Sequence, residues 1–487
     1  MRYTRAVVVL VSVFIGVCLV SDTYLNVLKE ANGYGAHLAC TIVFGANRDL
    51  QTALDAEFVV PPIKYGRSFD IDKQTKCVSA HFFTWLRQTT VSDRYCFRSE
   101  ELGCHRVPLK HAAVVNADHS KNFDSDEWSH AEDSLTVSTV NTSCLTSLAD
   151  EHFAPESWLH SRALLVVHKG ELVFERYATD RGFHKGTRLH GWSMTKSFLN
   201  ALVGIRVKEG GFGPHGLDTT MGDIIQGNKL GIDFSEAVKR QTLRRMLLMS
   251  DSLDIDEVYA PGSGVVEMLF RSPSVTKFGM GVGSRTEKVC WEYNSLTTNL
   301  ISSALAATFS TRAEYLAYPR KALFEPLGMR SAFIETDDEN TFVFSSFGWA
   351  TARDWARFGM LYQDSENPLF PSHWINFSKT AARTSKNQYG AHVWLGGLAA
   401  PTVQSEEDEE CDALFSKRKT ERPDLRSSFP HGSILFKGFE DQLVSISNEN
   451  VVVRLGATKV AGVNFDKTRF YQRLYQCLGE VTTEGGK

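Results

Sequence analysis

The stretch HGWSMTKSFLNALVGIRVKEGG, from His190 to Gly211, sets Ser193 and Lys196 three residues apart at the head of an apolar segment. Met194, Phe198, Leu202 and Ile205 recur at helical spacing, and Leu199, Ala201 and Val203 fill out the remaining faces. Gly210 and Gly211 supply a stop, so the pattern predicts a buried helix with Ser193 at its N-terminus. There the free backbone N–H groups and the positive end of the dipole stabilise a developing anion, and positions i and i+3 share one face. An amine so placed can reach the hydroxyl. The competing reading is a helix N-cap with a snorkelling lysine, which spacing alone does not exclude.

Ser-x-x-Lys occurs three times, at Ser193 to Lys196, Ser274 to Lys277 and Ser416 to Lys419, so context must discriminate. Ser274 follows Pro273 and leads into a run with Gly279, Gly281 and Gly283, which reads as loop without a helix. Ser416 lies in SEEDEECDALFSKRKTERPDLRSS, a charge-dense segment that reads as solvated surface. Ser193 alone heads an apolar helix.

A chain of 487 residues, 43% hydrophobic and 11% aromatic, is globular in composition and long enough for one large core or two smaller ones. A net charge of -4 with both signs interspersed offers no broad basic field, which excludes nucleic acid as a partner. The sequence contains no G-x-S-x-G elbow, H-E-x-x-H, paired C-x-x-C or P-loop, so neither a metal nor a cofactor is expected.

The N-terminus reads MRYTR and then an apolar run from Ala6 to Val20. Residues 1–21 fit a signal peptide or a membrane anchor: the run is short of the roughly 20 residues of a span, yet no small-x-small cleavage site succeeds it. An uncleaved anchor is favoured, which makes the membrane a partner. With Arg2 and Arg5 before the run, the rest of the chain falls on the lumenal or extracellular side, membrane-anchored or secreted. Beyond Cys18 there are eight cysteines, an even number that suits disulfides, although eight allow roughly a hundred pairings. Sequons at Asn141 and Asn376 are compatible with a glycoprotein.

Residues 22–150 form a cysteine-containing N-terminal region, with short β-like runs such as CVSAHFFTWL from Cys77 and an acidic loop or linker from His119 to Ser134. Residues 151–487 form the main domain. It opens with ALLVVHKGELVFERYA, two strands around a Lys169-Gly170 turn. Helical patterns come next, including TLRRMLLM and TARDWARFGMLY with Thr351 as N-cap. Strand signals return in SILFKGF, DQLVSIS and VVVRLGA before a closing helix around FDKTRFYQRLYQCL. The expected fold class is α/β (α+β): one antiparallel sheet built from both ends of the domain, flanked by helices, with a helical subdomain.

Several stretches in order resemble the serine β-lactamase and penicillin-binding-protein superfamily, in its class C-like branch with esterases and 6-aminohexanoate-dimer hydrolase. GWSMTKS looks like the nucleophile motif, TLRRMLLMSDSL like the helix that ends in a Thr-Ser-Gly-Leu type turn, and LFEPLGM and SSFGWATARDWARFGMLY like later signatures. The likeness spans about residues 155 to 480. It implies a β-lactamase-like fold and a serine hydrolase with Ser193 as nucleophile and Lys196 beside it. The branch's Tyr-x-Asn element is matched by Tyr293-Asn294-Ser295, with Ser295 in place of the asparagine. Its third element, K-T-G or a variant, is matched by Lys437-Gly438-Phe439, with Asp441 where relatives carry a glycine. Ser250-Asp251-Ser252 mimics the S-D-N of class A enzymes but fits the turn after TLRRMLLM, and is assigned to structure.

A free lysine with a pKa of about 10.4 is protonated at neutral pH, so Lys196 needs burial or a partner such as the Tyr293 hydroxyl to serve as base. The resemblance gives the oxyanion to the backbone N–H groups of Ser193 and Phe439, with Ser295, Lys437 and Gly438 lining the substrate site. The substrate is a small-molecule or peptide-like acyl donor, cleaved at an ester or amide bond through an acyl-enzyme. The altered second and third elements leave two alternatives: a catalytically impaired binding or scaffold protein, and a peptidoglycan-type peptidase or β-lactamase.

Overall fold

The computed structural model describes residues 25–57, 67–84, 89–99, 102–107, 128, 140–154, 159–398, 405–415, 426–458 and 465–482. These fall into two compact units.

The smaller unit draws on the N-terminal 99 residues, 104–117 and 258–273. Its strands β1 (Arg67–Asp72), β2 (Cys77–Thr84), β3 (Thr89–Ser99) and β4 (Gly103–Arg106) form a sheet in that order. Cys77 and Cys96 stand opposite each other on β2 and β3 and are disulfide-bonded, and a second bond joins Cys40 to Cys104. The buried Asp93 pairs with Arg106 at 2.6 Å.

Among the described residues no helix is long and apolar enough to cross a membrane. The first described helix, residues 25–40, carries Lys29, Glu30, Asn32 and His37. The expected membrane anchor and membrane partner are corrected on this finding, and the membrane-anchored or secreted location drawn from them loses its support. The apolar run from Ala6 to Val20 and most of the acidic stretch from His119 to Ser134 lie outside the described residues.

The larger unit is built on a six-stranded sheet. β5 (Ser161–His168) and β6 (Glu171–Tyr177) form the hairpin read from the sequence, turning through Lys169 and Gly170 at φ 49° and 84°. β7 (Leu189–His190), β8 (Phe333–Ile334) and β9 (Gly348–Ala350) make a separate three-stranded sheet in the order β7-β9-β8. β10 (Trp394–Leu395), β11 (Ile434–Gly438), β12 (Gln442–Ile446) and β13 (Asn450–Gly456) complete the large sheet, whose order is β10-β11-β12-β13-β5-β6. All its neighbours are antiparallel. The last strand in sequence, β13, thus pairs with the domain's first, β5, and the sheet is assembled from both ends of the domain. Its runs of Val and Leu on β5 and β13 are wholly buried, as expected of a sheet covered on its faces.

Seven helices bear on the site and its support: α1 (Thr142–Phe153), α2 (Thr195–Lys208), α3 (Leu243–Leu247), α4 (Ser295–Ala307), α5 (Ala352–Met360), α6 (Glu406–Phe415) and α7 (Lys467–Cys477). Thr351 caps α5, its hydroxyl accepting from Asp354 N. α5 presses on the sheet through Gly359, where a Cβ would meet Val444 at 3.1 Å. α1, capped by Asn141, packs on β5 and β6 and is tied to α7 by Cys144–Cys477. The fourth disulfide, Cys290–Cys411, joins the segment before α4 to α6, so all eight cysteines beyond Cys18 are paired.

Candidate active site

β7 delivers the chain to Ser193. Gly191 N donates to Gly348 O at 2.8 Å, a single 3₁₀ turn spans Trp192–Met194, and α2 begins at Thr195. Trp192 is held at φ 49°, a left-handed conformation that a bulky residue adopts only when its surroundings enforce it. Those surroundings are explicit. Thr195 Oγ1 donates to Trp192 O at 2.6 Å and accepts from Gly348 N at 2.9 Å, while His190 and Phe439 flank the indole at 4.1 and 5.5 Å. Phe198, one turn further on, stacks on Trp355 at 4.5 Å and anchors α2 in the core. Ser193 is left half-buried at the end of this braced turn.

Lys196 is buried, and its ammonium donates in three directions: to Ser193 Oγ at 3.1 Å, to Ser295 Oγ at 3.2 Å and to Ser345 O at 2.9 Å. It also stands 4.8 Å from the centroid of the Tyr293 ring, within cation–π range. A lysine ammonium has three N–H donors, and here each meets an oxygen. All three acceptors are uncharged, two of them serine hydroxyls and one a main-chain carbonyl.

The second element is fixed by the start of α4. Asn294 is the N-cap, accepting from Thr297 N at 2.8 Å; Thr297 Oγ1 in turn donates to the buried Asp251 at 2.9 Å. Burial lifts the Asp251 carboxyl to about 6. Ser250-Asp251-Ser252 therefore supports the start of α4, and Ser252 Oγ turns to Lys288 O at 2.8 Å. Ser295 opens α4 with both its N–H and its hydroxyl donated to Glu257, each at 2.7 Å. Tyr293 is half-buried against Trp394 at 5.3 Å and Tyr389 at 5.7 Å.

The third element closes the site from the sheet. Gly438, last residue of β11, backs onto the Gly191 carbonyl with no room for a Cβ. Lys437 lays its ammonium over Trp394 at 4.8 Å, and the Phe439 ring meets Trp192 edge-on. The connection to β12 passes through Glu440 and Asp441 at φ 60° and 64°. The resemblance leads one to expect glycine at 441, and the backbone is indeed left-handed there. Arg454 donates to Asp441 O at 3.0 Å, Lys467 pairs with the Asp441 carboxylate, and the buried Glu440 lies 4.0 Å from Arg162.

The copy of Ser-x-x-Lys at Ser274 serves local structure. The loop expected at Ser274 is corrected: Ser274 caps a short helix, Val275–Met280, its Oγ accepting from Lys277 N at 3.3 Å. The glycine that argued against a helix, Gly279, is there because a Cβ would meet Leu300 of α4 at 2.7 Å. Ser416 and Lys419 lie outside the described residues. Their acidic neighbours form α6, whose Glu407, Glu410 and Asp412 pair with Arg383, Lys288 and Lys386. Among the described residues no group of His, Cys, Asp and Glu could hold a metal ion.

No sequence motif singles out Glu257, the Ser345 carbonyl or Trp394, which the fold brings to the site. The same holds for His392: it is buried next to α2, bonded to Leu247 O and Thr298, and held down to about 3 by desolvation.

An antiparallel sheet flanked by helices, beside a helical subdomain, is a β-lactamase-like architecture. Residues 149–403 match the beta-lactamase family model, and the chain belongs to the beta-lactamase family. Among solved structures it is similar to a candidate 6-aminohexanoate-dimer hydrolase from Bacillus anthracis, at 18% identity over 68% of this chain and 80% of that one, with a TM-score of 0.48. EstCE1, a hydrolase with promiscuous acyltransferase activity, matches at 11% over 71% and 100%, with a TM-score of 0.48. An octameric penicillin-binding protein homologue from Pyrococcus abyssi matches at 12% over 70% and 78%, with a TM-score of 0.47. No curated protein matches. The family match supports a serine-hydrolase-type, acyl-enzyme mechanism in general.

Proposed function

We propose that this chain is a serine hydrolase that cleaves an ester or amide bond through an acyl-enzyme on Ser193, with the catalytic work done by residues 151–487. The observation that carries this reading is the 3.1 Å contact between Lys196 Nζ and Ser193 Oγ, on a lysine that also donates to two other uncharged oxygens.

In the acylation step Ser193 Oγ attacks the substrate carbonyl carbon and its proton passes to the Lys196–Tyr293 pair. The oxyanion that forms is met by the N–H groups of Ser193 and Phe439; loss of one such donor typically costs about 3 kcal/mol in the transition state. Collapse of the tetrahedral intermediate breaks the bond to the alcohol or amine, which leaves with the proton. Water then attacks the acyl-enzyme by the same path in reverse. Lys437, half-buried over Trp394, lines the approach for the acyl donor, whereas Ser295, expected there from the sequence, is fully buried and faces Lys196.

Labelling with a fluorophosphonate followed by peptide mass mapping tests the assignment. Modification is expected at Ser193 and is lost in Ser193→Ala together with hydrolysis of a p-nitrophenyl ester. Equal labelling of wild type and Ser193→Ala would remove Ser193 from the role.

A further inference from the structure

We infer that Glu257 is a positioning residue for acylation, acting on Lys196 through the Ser295 hydroxyl; the inference rests on the reading of Ser193 as nucleophile. Glu257 is far from the three motifs in sequence and sits in an irregular segment after α3, yet its carboxylate grips Ser295 at two points, N–H and Oγ–H, both at 2.7 Å.

A carboxylate only accepts, so the single hydroxyl hydrogen of Ser295 is committed to Glu257. Towards Lys196, 3.2 Å away, Ser295 can then offer only lone pairs. The Ser345 carbonyl, at 2.9 Å, is likewise an acceptor and nothing else. Two of the three hydrogen-bonding directions of the lysine nitrogen are thereby fixed as N–H donors. The third faces Ser193 Oγ. When Lys196 is an ammonium this direction holds an N–H; when it is a neutral amine it can hold only the lone pair. Glu257 thus aims the basic electron pair at the hydroxyl it must deprotonate. Without the carboxylate, the Ser295 hydrogen can swing towards Lys196 and draw the lone pair away from Ser193.

A purely structural role for Glu257 at the head of α4 is a poor fit, because Asn294 already caps that helix and Asp251 braces Thr297. What Glu257 adds is the orientation of Ser295.

The test is a double-mutant cycle on acylation of Ser193 by a p-nitrophenyl ester, using the full chain and four proteins: wild type, Glu257→Gln, Ser295→Ala and the double variant. Gln presents an amide NH2 to the Ser295 hydroxyl and so frees its hydrogen. Glu257→Gln is expected to lower the acylation rate about 10- to 100-fold, less than the roughly 10²- to 10⁴-fold of the whole proton-transfer assistance because only its aim is lost, with KM changed by less than about threefold. Ser295→Ala should lose a similar factor. In the Ser295→Ala background Glu257→Gln should have almost no further effect, because the hydroxyl through which it acts is gone. A Glu257→Gln protein that acylates like wild type overturns the inference. So does an equal loss with and without Ser295, which would mean that Glu257 acts by another route or only on stability. If Glu257→Gln does not fold, a Ser295→Ala protein with wild-type acylation overturns it instead. Fluorophosphonate labelling of wild-type Ser193 keeps the two readings apart: an unlabelled wild type defeats the nucleophile assignment itself, whereas a labelled wild type with an indifferent Glu257 defeats only the positioning role.

Discussion

Gly438 turns its α-carbon onto the carbonyl oxygen of Gly191, leaving no space for a methyl group between β11 and the turn that carries Ser193. The two glycines let main chain touch main chain, which seats β11 against the turn that carries Ser193. Gly438→Ala is expected to push the strand off the turn. A displacement of about 1 Å at a reacting centre can cost on the order of 100-fold, and a fall of that size in acylation rate is expected, with the protein still folded. Burst kinetics with circular dichroism on the same sample checks both halves.

Tyr293→Phe keeps the ring beside the Lys196 ammonium and removes only the hydroxyl. If that hydroxyl relays the proton leaving Ser193, acylation should fall by about 10²- to 10⁴-fold. Stability should move by about 1 kcal/mol or less, the worth of one hydrogen bond. Unchanged acylation would take Tyr293 out of the mechanism and leave Lys196 as the base.

Ser274→Ala should separate a structural Ser-x-x-Lys from a chemical one. Its hydroxyl caps a helix and is fully buried, so the variant is expected to lose about 1 kcal/mol of stability while fluorophosphonate labelling at Ser193 is unchanged. Chemical denaturation and labelling on one preparation give the answer.

The buried helix after Ser193 is legible in the sequence because its periodicity begins beside that residue, and the sheet is legible because alternating and continuous apolar runs stand at both ends of the domain. The helix after Ser274 is hidden for a physical reason: Gly279 looks like a breaker, but it serves close packing on Leu300, a contact between residues 21 apart. The Ser345 acceptor for Lys196 is a main-chain carbonyl and leaves no trace in residue type. Glu257 is one acidic residue among many until the fold brings it to Ser295. Disulfide pairing is likewise beyond the reach of spacing, since Cys144 and Cys477 lie 333 residues apart.

Asp251 gives the site's scaffold a pH dependence of definite sign. Desolvation raises its carboxyl from 3.8 to about 6, so between those values the folded chain holds a proton that the unfolded chain has released. Stability from this group is therefore fully present below the unfolded value and lost as pH rises through about 6, by roughly 3 kcal/mol at 1.36 kcal/mol per unit. The buried, neutral His392 acts oppositely, stabilising above 6.5 and losing that contribution on acidification towards about 3. Asp251→Asn isolates the first effect: relative to wild type its stability should improve as pH rises from about 4 to about 6 and level off above that. A difference in unfolding free energy that stays flat over that range would contradict the assignment.

The Cys144–Cys477 bond joins the helix before the first strand of the large sheet to the helix after its last. In covalent terms the chain between them is a ring rather than a line. Removing a loop of that length from the unfolded ensemble is worth on the order of 5 kcal/mol in the chain-entropy account. It also means that a backbone cut anywhere between the two cysteines opens the ring without parting it. The half carrying Ser193 and the half carrying Lys437 would stay tethered, and only a reductant could let them drift apart.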